Sequence, residues 1–318
     1  VIGYIVRRVF QSVLVIIGVL VITYVLYQLL GPQALARSVL QTSKATQAQL
    51  NQVIREYGYN LPFYDQLWQE VVNYLHGNFG RSPGTNQFVL TQIGVALPRS
   101  LVLVGLSLLV AIFTALPLGV FQTVRRNKPS DYVFTGLAFT FYALPDFVLG
   151  VVLLLLFEDH YHVFTPISQS ESPWQIAANW RQITLPVLTL SATSVAAFSR
   201  YARSSMMDAI SEDYVRTAVS KGAGQLRVLF RHAFRNALIP IITLIGLSLP
   251  AIAGGAVITE VVFNYPGMGL LAVQGADNND VQLVVGTTIV ATVLTVIGSL
   301  LADVLYAVVD PRIRYGRH

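Results

Sequence analysis

The chain has 318 residues, a formal net charge of +5 and no cysteine; 54% of it is hydrophobic and only 12% is charged. So little charge excludes an ordinary water-soluble globule, and the lack of cysteine excludes disulfide frameworks, thiol catalysis and cysteine metal sites. The 21 lysines and arginines punctuate long apolar runs and do not cluster on one polar domain, which argues for a multispan membrane protein and against a nucleic-acid partner.

In chain order, Arg7 and Arg8 precede an uncharged run from Val9 to Leu30. At about 1.5 Å per residue this run is long enough to cross ~30 Å of hydrocarbon. Its length, and the missing small-residue cleavage pattern, favour a retained span over a secretory signal. Residues 31–97 form the only sizeable polar segment. Leu50, Val53, Ile54 and Tyr57 recur at one helical spacing, and Trp68, Val72 and Leu75 at another. Two short amphipathic helices, separated at Gly58–Pro62, are therefore expected on the outer side.

A second run, Ser100–Val124, ends in Arg125, Arg126 and Lys128. The third, Tyr132–Phe157, is interrupted by Pro145-Asp146, and Pro145 should bend it. After a polar segment, Glu158–Arg181, comes a short fourth run, Gln182–Ser199, rich in Ser and Thr. A fifth runs from near Ala237 to Phe263 and a sixth from Val281 to Ala302, joined by a loop that holds Pro266-Gly267-Met268-Gly269. The expected fold is all-α, a polytopic membrane protein with six transmembrane helices. Residues 1–30 carry the first span, 31–97 an extracytoplasmic helical segment, and 98–318 a five-helix core.

Orientation follows from the basic residues. With both termini cytoplasmic, Arg7, Arg8, Arg125, Arg126, Lys128, Arg200, Arg203, Arg216, Lys221, Arg227, Arg231, Arg235, Arg312, Arg314 and Arg317 all lie inside. Only Arg37, Lys44, Arg55, Arg81, Arg99 and Arg181 lie outside, on the longer loops that count least.

The stretch Ser211–Pro240 is a polar, basic island between the fourth and fifth runs. Ser211 is a good N-cap, Glu212 and Asp213 put negative charge in the first turn, and Gly222 after Lys221 is a helix stop. A second helix should start near Gln225, with Leu226, Leu229, Phe230, Ala233, Phe234 and Ala237 on one face and Arg227, Arg231 and Arg235 on another. Two short helices about a glycine break, the second running into a span, suit a docking surface.

Tyr214, Val215, Arg216, Thr217, Ala218, Lys221 and Gly222 of this island resemble the cytoplasmic coupling loop of permeases of binding-protein-dependent ABC importers, in the dipeptide, oligopeptide and nickel branch. His76–Ser82, Glu260–Gly269 and Asp303–Tyr315 resemble the same branch. The loop, 200–236, departs from the general Glu-Ala-Ala motif in having Arg216-Thr217-Ala218. The resemblance implies a prokaryotic inner-membrane permease that imports peptides, or nickel or another small solute. It further implies a second homologous permease, cytoplasmic ATPase subunits that carry ATP and Mg, and an extracytoplasmic solute-binding protein.

No P-loop occurs: Lys44, Lys128 and Lys221 are the only lysines, and none follows a glycine. Neither a Gly-x-Ser-x-Gly elbow nor a His-Glu-x-x-His helix is present, so the chain is not expected to be an enzyme or to hold a cofactor itself. His160-x-His162 beside Glu158 and Asp159 reads as a hydrated loop, not a metal site. A self-sufficient channel or secondary transporter is the rival class, but neither an Arg-rich sensor helix nor a filter-like Gly-Tyr-Gly supports it.

Ionisable residues within apolar runs mark paths or structural pairs, because each costs roughly 3 kcal/mol or more in hydrocarbon. Asp146 and Glu260 are the candidates for the translocation path or outer gate, with the turn Pro266, Gly267, Met268 and Gly269; Asp303 reads as structural. Glu260 either meets a peptide amino group or ends a helix paired with Arg99 or Arg181. The turn is expected to be flexible enough to reach the binding protein. Gly254, Gly255 and Ala256 suit close helix packing.

Overall fold

The computed structural model describes residues 2–29, 31–40, 45–56, 60–160, 164 and 171–309. In chain order the helices are α1 (Ile2–Gln28), α2 (Pro32–Leu40), α3 (Gln47–Glu56), α4 (Phe63–Leu75), α5 (Val89–Val124), α6 (Pro129–Ala143) and α7 (Asp146–Leu154). Then follow α8 (Pro173–Ala178), α9 (Trp180–Ser211), α10 (Asp213–Ser220), α11 (Gln225–Arg227), α12 (Arg235–Val262), α13 (Met268–Asp277) and α14 (Val281–Val309). Two π-helical stretches, Leu155–His160 and Val228–Phe234, extend α7 and join α11 to α12. Among the described residues there is no strand, only an isolated antiparallel bridge between Arg81 and Phe88.

Among the described residues four helices, α1, α5, α9 and α14, are long and apolar enough to cross a membrane, and α6 with α7 makes a fifth candidate if the bent pair is one span. The bend, 99°, falls where the sequence places Pro145. Leu144 is extended (φ −76°, ψ 127°), the conformation favoured before a proline, so α6 stops there and Pro145 is the N-cap of α7. The outer surfaces of these helices are apolar: Phe10 and Leu26 on α1 and Phe113 and Leu101 on α5 are each more than half exposed. Such a surface belongs in lipid.

The chain divides into two compact units. One comprises Leu101–Tyr265 and Gly298–His318. Its centre is α9, which packs against α6, α7 and α12. This helix is more deeply buried than α1, α5 or α14, which explains why the fourth run is the least apolar: its neighbours are protein, so its Ser and Thr face other helices. Leu103, Ile176, Leu190, Phe198 and Tyr265 are the large side chains of the main core. Ala256 joins that core, as its small size suggested, and Gly246 packs against Ala302, where an added Cβ would stand 3.1 Å from the alanine Cβ.

The other unit comprises Ile2–Ser100 and Pro266–Ile297. It contains the two expected short helices, α3 and α4, and a third, α2, which contributes Ala36 to a small core with Leu50 and Val53. The expected apolar face of α4 is not its packed face. Trp68 and Leu75 are 69% and 80% exposed, and the buried residue is Gln66, whose Oε1 accepts from the Tyr24 hydroxyl at 2.5 Å. Tyr57, the segment's break at Gly58–Tyr59, His162 and the tail Asp310–Tyr315 lie outside the described residues. So do the side chains of Glu158, Asp159, His160 and Asp303.

Candidate functional site

The basic island builds as two helices about a glycine stop, with one shift of boundary. Ser211 is not the N-cap; it is the last residue of α9, and Glu212 (φ −69°, ψ 149°) breaks the chain before α10. Ser211 instead donates its hydroxyl back to the Asp208 carbonyl at 2.8 Å, a bond that keeps it within the preceding helix. Tyr214, Val215, Arg216, Thr217 and Ala218 all lie on α10. Of these Val215 is buried and Ala218 half-buried, so α10 is held along one narrow edge and presents Tyr214, Arg216 and Thr217 outward. The Arg216–Asp213 pair, at 3.5 Å, is fully in the open and adds little stability.

Gly222 ends α10 at φ +81°. Its N–H donates to the Val219 carbonyl (2.9 Å), and the Ala223 N–H reaches back to the Ala218 carbonyl (3.1 Å). That pair of bonds is a Schellman motif, and it fixes the angle at which the chain leaves α10. Lys221 is the C-cap.

The second half of the island starts at Gln225, as expected, and most of its expected inner face is packed: Ala233 and Ala237 are buried, with Leu229 and Phe234 against them. Across the π-helical stretch the hydrogen-bond step lengthens to i→i+5. Ala233 and Ala237 pack with Val120, Met206 and Ala209, and Val228 is buried as well. Leu226 and Phe230, expected on the inner face, are 73% and 55% exposed. The island therefore offers an outward surface of Tyr214, Val219, Leu226 and Phe230 among Arg216, Lys221, Arg227 and Arg231. Apolar side chains ringed by basic ones on an exposed loop are the makings of a protein-docking face.

The residues expected at an outer gate fare differently. Asp146 begins α7 at the bend, and the Thr193 hydroxyl of α9 donates to its Oδ1. Glu260 is 1% exposed, so in this conformation an amine in solution does not reach it. Helix α12 ends just beyond, in a second Schellman motif with Asn264 at φ +48°: Tyr265 N–H donates to the Glu260 carbonyl at 2.8 Å and Asn264 N–H to that of Val261 at 3.2 Å.

Pro266, Gly267, Met268 and Gly269 do not form a projecting, flexible turn. All four are buried, and Met268 already starts α13. The Met268 N–H donates to Ser100 Oγ at 2.8 Å, and Arg99 reaches the Pro266 carbonyl at 3.4 Å. The sequence pattern did not separate a turn that is free from one that is held, because the holding residues stand more than 160 positions away. Asp280 was missed for the same reason. It caps α14 by accepting from the Leu283 N–H at 3.0 Å, and it accepts from the Ser82 hydroxyl, which ties the His76–Ser82 stretch to α14.

An apolar cleft of about 390 Å³ lies among α5, α6, α7 and α9, lined by Val110, Phe134, Phe141, Leu153, Leu188 and Val195. Its only polar lining is Thr114, Ser191 and Ser199, which suits hydrocarbon and not a charged solute.

Residues 107–315 match the family of binding-protein-dependent transport system inner membrane components. The chain is 34% identical over 316 residues to the Oligopeptide transport system permease protein AppB of Bacillus subtilis (strain 168), with 98% of this chain and 99% of that protein covered. It is 33% identical over 317 residues to the Probable peptide ABC transporter permease protein y4tP of Sinorhizobium fredii, with the same coverage. Similarity to the Glutathione transport system permease protein GsiC of Salmonella choleraesuis is 31% over 314 residues, again with 98% and 99% covered.

Proposed function

The chain belongs to the family of binding-protein-dependent transport system inner membrane components, and from that premise we propose that it is the membrane permease of a peptide ABC importer. The names of its relatives support peptides as the solute class. In this reading α1, α5, the bent pair α6–α7, α9, α12 and α14 are six spans with both termini in the cytoplasm. A second, similar permease completes the path, an extracytoplasmic binding protein delivers the solute, and cytoplasmic ATPase subunits bind ATP and Mg.

The observation that carries the reading is α10: a helix anchored by Val215 with Ala218 half-buried beside it, fixed in direction by the Gly222 stop, and exposed over the rest of its surface. A helix of eight residues is not stable by itself, so its order comes from the stop, its narrow packed edge and, in the assembly, a partner. A groove on the ATPase would supply that partner and receive Tyr214, Arg216 and Thr217. Arg227 and Arg231, nearer the start of a span, would divide their contacts between the ATPase and lipid headgroups.

Cysteine cross-linking checks the placement, and the chain's lack of native cysteine removes background. Thr217→Cys is expected to cross-link to a cysteine-bearing ATPase groove more readily than Arg231→Cys. The opposite ranking would move the docking face off α10.

A further inference from the structure

Three contacts fasten the bent pair α6–α7 to α9, one after another like rungs. At the first, the Arg203 guanidinium of α9 grips the Asp131 carboxylate of α6 at two points, Nε to Oδ1 at 2.9 Å and Nη2 to Oδ2 at 2.8 Å. Asp131 is 2% exposed and also accepts the Asn127 N–H at 3.1 Å, from a turn held at φ +61°. At the second, the Arg200 guanidinium lies 4.4 Å from the centre of the Phe139 ring and 5.7 Å from that of Tyr142. The third is the bond from Thr193 to Asp146 at the bend itself.

Helix α5 closes the same corner. Gly119 lets the two backbones meet, since a Cβ there would stand 2.5 Å from that of Ala202. One turn on, Thr123 Oγ1 donates to the Arg203 carbonyl at 3.3 Å. From Arg203, α9 continues for only about two turns to Ser211, where α10 begins.

We propose that Asp131 and Arg203 are positioning residues for transport: they clamp α6–α7 to α9 so that a displacement of α10 carries the bent span with it. The proposal rests on the coupling role of α10 given above. A two-point carboxylate–guanidinium pair fixes orientation as well as distance, which a single bond or an apolar contact does not. With rungs at both ends of α6, the only free direction is that of α9 itself. The bend at Pro145 then moves as part of one body and is not a hinge against α9.

The test uses the complex purified with its ATPase subunits. Spin labels at exposed Tyr132 on α6 and exposed Tyr201 on α9 report the separation of the helices, without nucleotide and with ATP plus vanadate. A label pair from Thr217 to the ATPase reports the response of the coupling loop. In the wild type the α6–α9 distance is expected to agree between the two states within about 2 Å, the size of an ordinary helix shift, while the Thr217 pair moves. In Asp131→Asn the α6–α9 distance is expected to become nucleotide-dependent, shifting by more than about 2 Å. The exchanged pair Asp131→Arg with Arg203→Asp should restore its constancy. A merely structural bond would alter the distance equally in both states.

Arg203→Lys keeps the charge but loses the two-point grip, and it carries the same expectation if Asp131→Asn does not assemble. A distance that stays constant in both variants, or one that already changes in the wild type, overturns the clamp. A wild-type complex whose Thr217 pair ignores ATP and vanadate overturns the coupling reading and the clamp with it, and is recognised because no clamp residue has been altered.

Discussion

Gly222→Val is expected to abolish most solute uptake while leaving the protein inserted and assembled. Gly222 sits at φ +81°, and nothing lies within 4 Å of the Cβ it lacks, so the obstacle to substitution is the backbone and not the surroundings. A residue with a Cβ loses about 1–2 kcal/mol in this region, and a β-branched one is a true outlier there. A shift of that size changes the population of correctly aligned α10 by roughly 5–30-fold. Gly222→Asn is the control. The chain itself places asparagine in the left-handed region at Asn86, Asn127, Asn264 and Asn279, so asparagine should preserve the stop and most of the uptake. ATPase rate and peptide uptake measured on the same proteoliposomes separate the outcomes: the valine variant should keep hydrolysis and lose transport. Wild-type uptake with Gly222→Val would remove the stop from the mechanism.

Gly119→Val is expected to act earlier, on assembly. Its Cβ would lie 2.5 Å from the Ala202 Cβ and 3.0 Å from both the Arg203 nitrogen and the Ser199 oxygen. Two of those three atoms are backbone, so α5 and α9 must separate. Overpacking of this kind costs about 1–3 kcal/mol, and separation also breaks the bond from Thr123 to the Arg203 carbonyl. Less protein in the membrane and a lower melting temperature are the expected results. Gly105→Ala on the same helix makes the comparison: nothing lies within 4 Å of that position, and alanine favours a helix over glycine by up to about 1 kcal/mol, so no loss is expected. Equal yields of the two variants would show that α5 and α9 do not approach closely at Gly119.

What could be read from the sequence was local. The break at Pro145 and the stop at Gly222 depend on residues next to one another, and both stand in the structure where the sequence puts them. Helix α9 was harder, because a helix surrounded by protein carries Ser and Thr and resembles a weak span. Of the face expected on the second island helix, Leu229, Ala233, Phe234 and Ala237 do pack inward, while Leu226 and Phe230 turn outward and Val228 is buried in the π-helical stretch. Burial of Glu260 and of Pro266–Gly269, the Asp280 tie and the Asp131–Arg203 clamp depend on partners far away in sequence. No spacing rule along one chain predicts them.

The central claim is that this chain, through α10, lets ATP hydrolysis elsewhere drive a peptide across the membrane. The most direct measurement is accumulation of a labelled oligopeptide by proteoliposomes that contain this chain, its partner permease, the ATPases and the binding protein. Accumulation should require ATP, the binding protein and an intact α10, and it should vanish when the ATPases are left out. Accumulation by this chain alone, without ATPase subunits or ATP, would contradict the account.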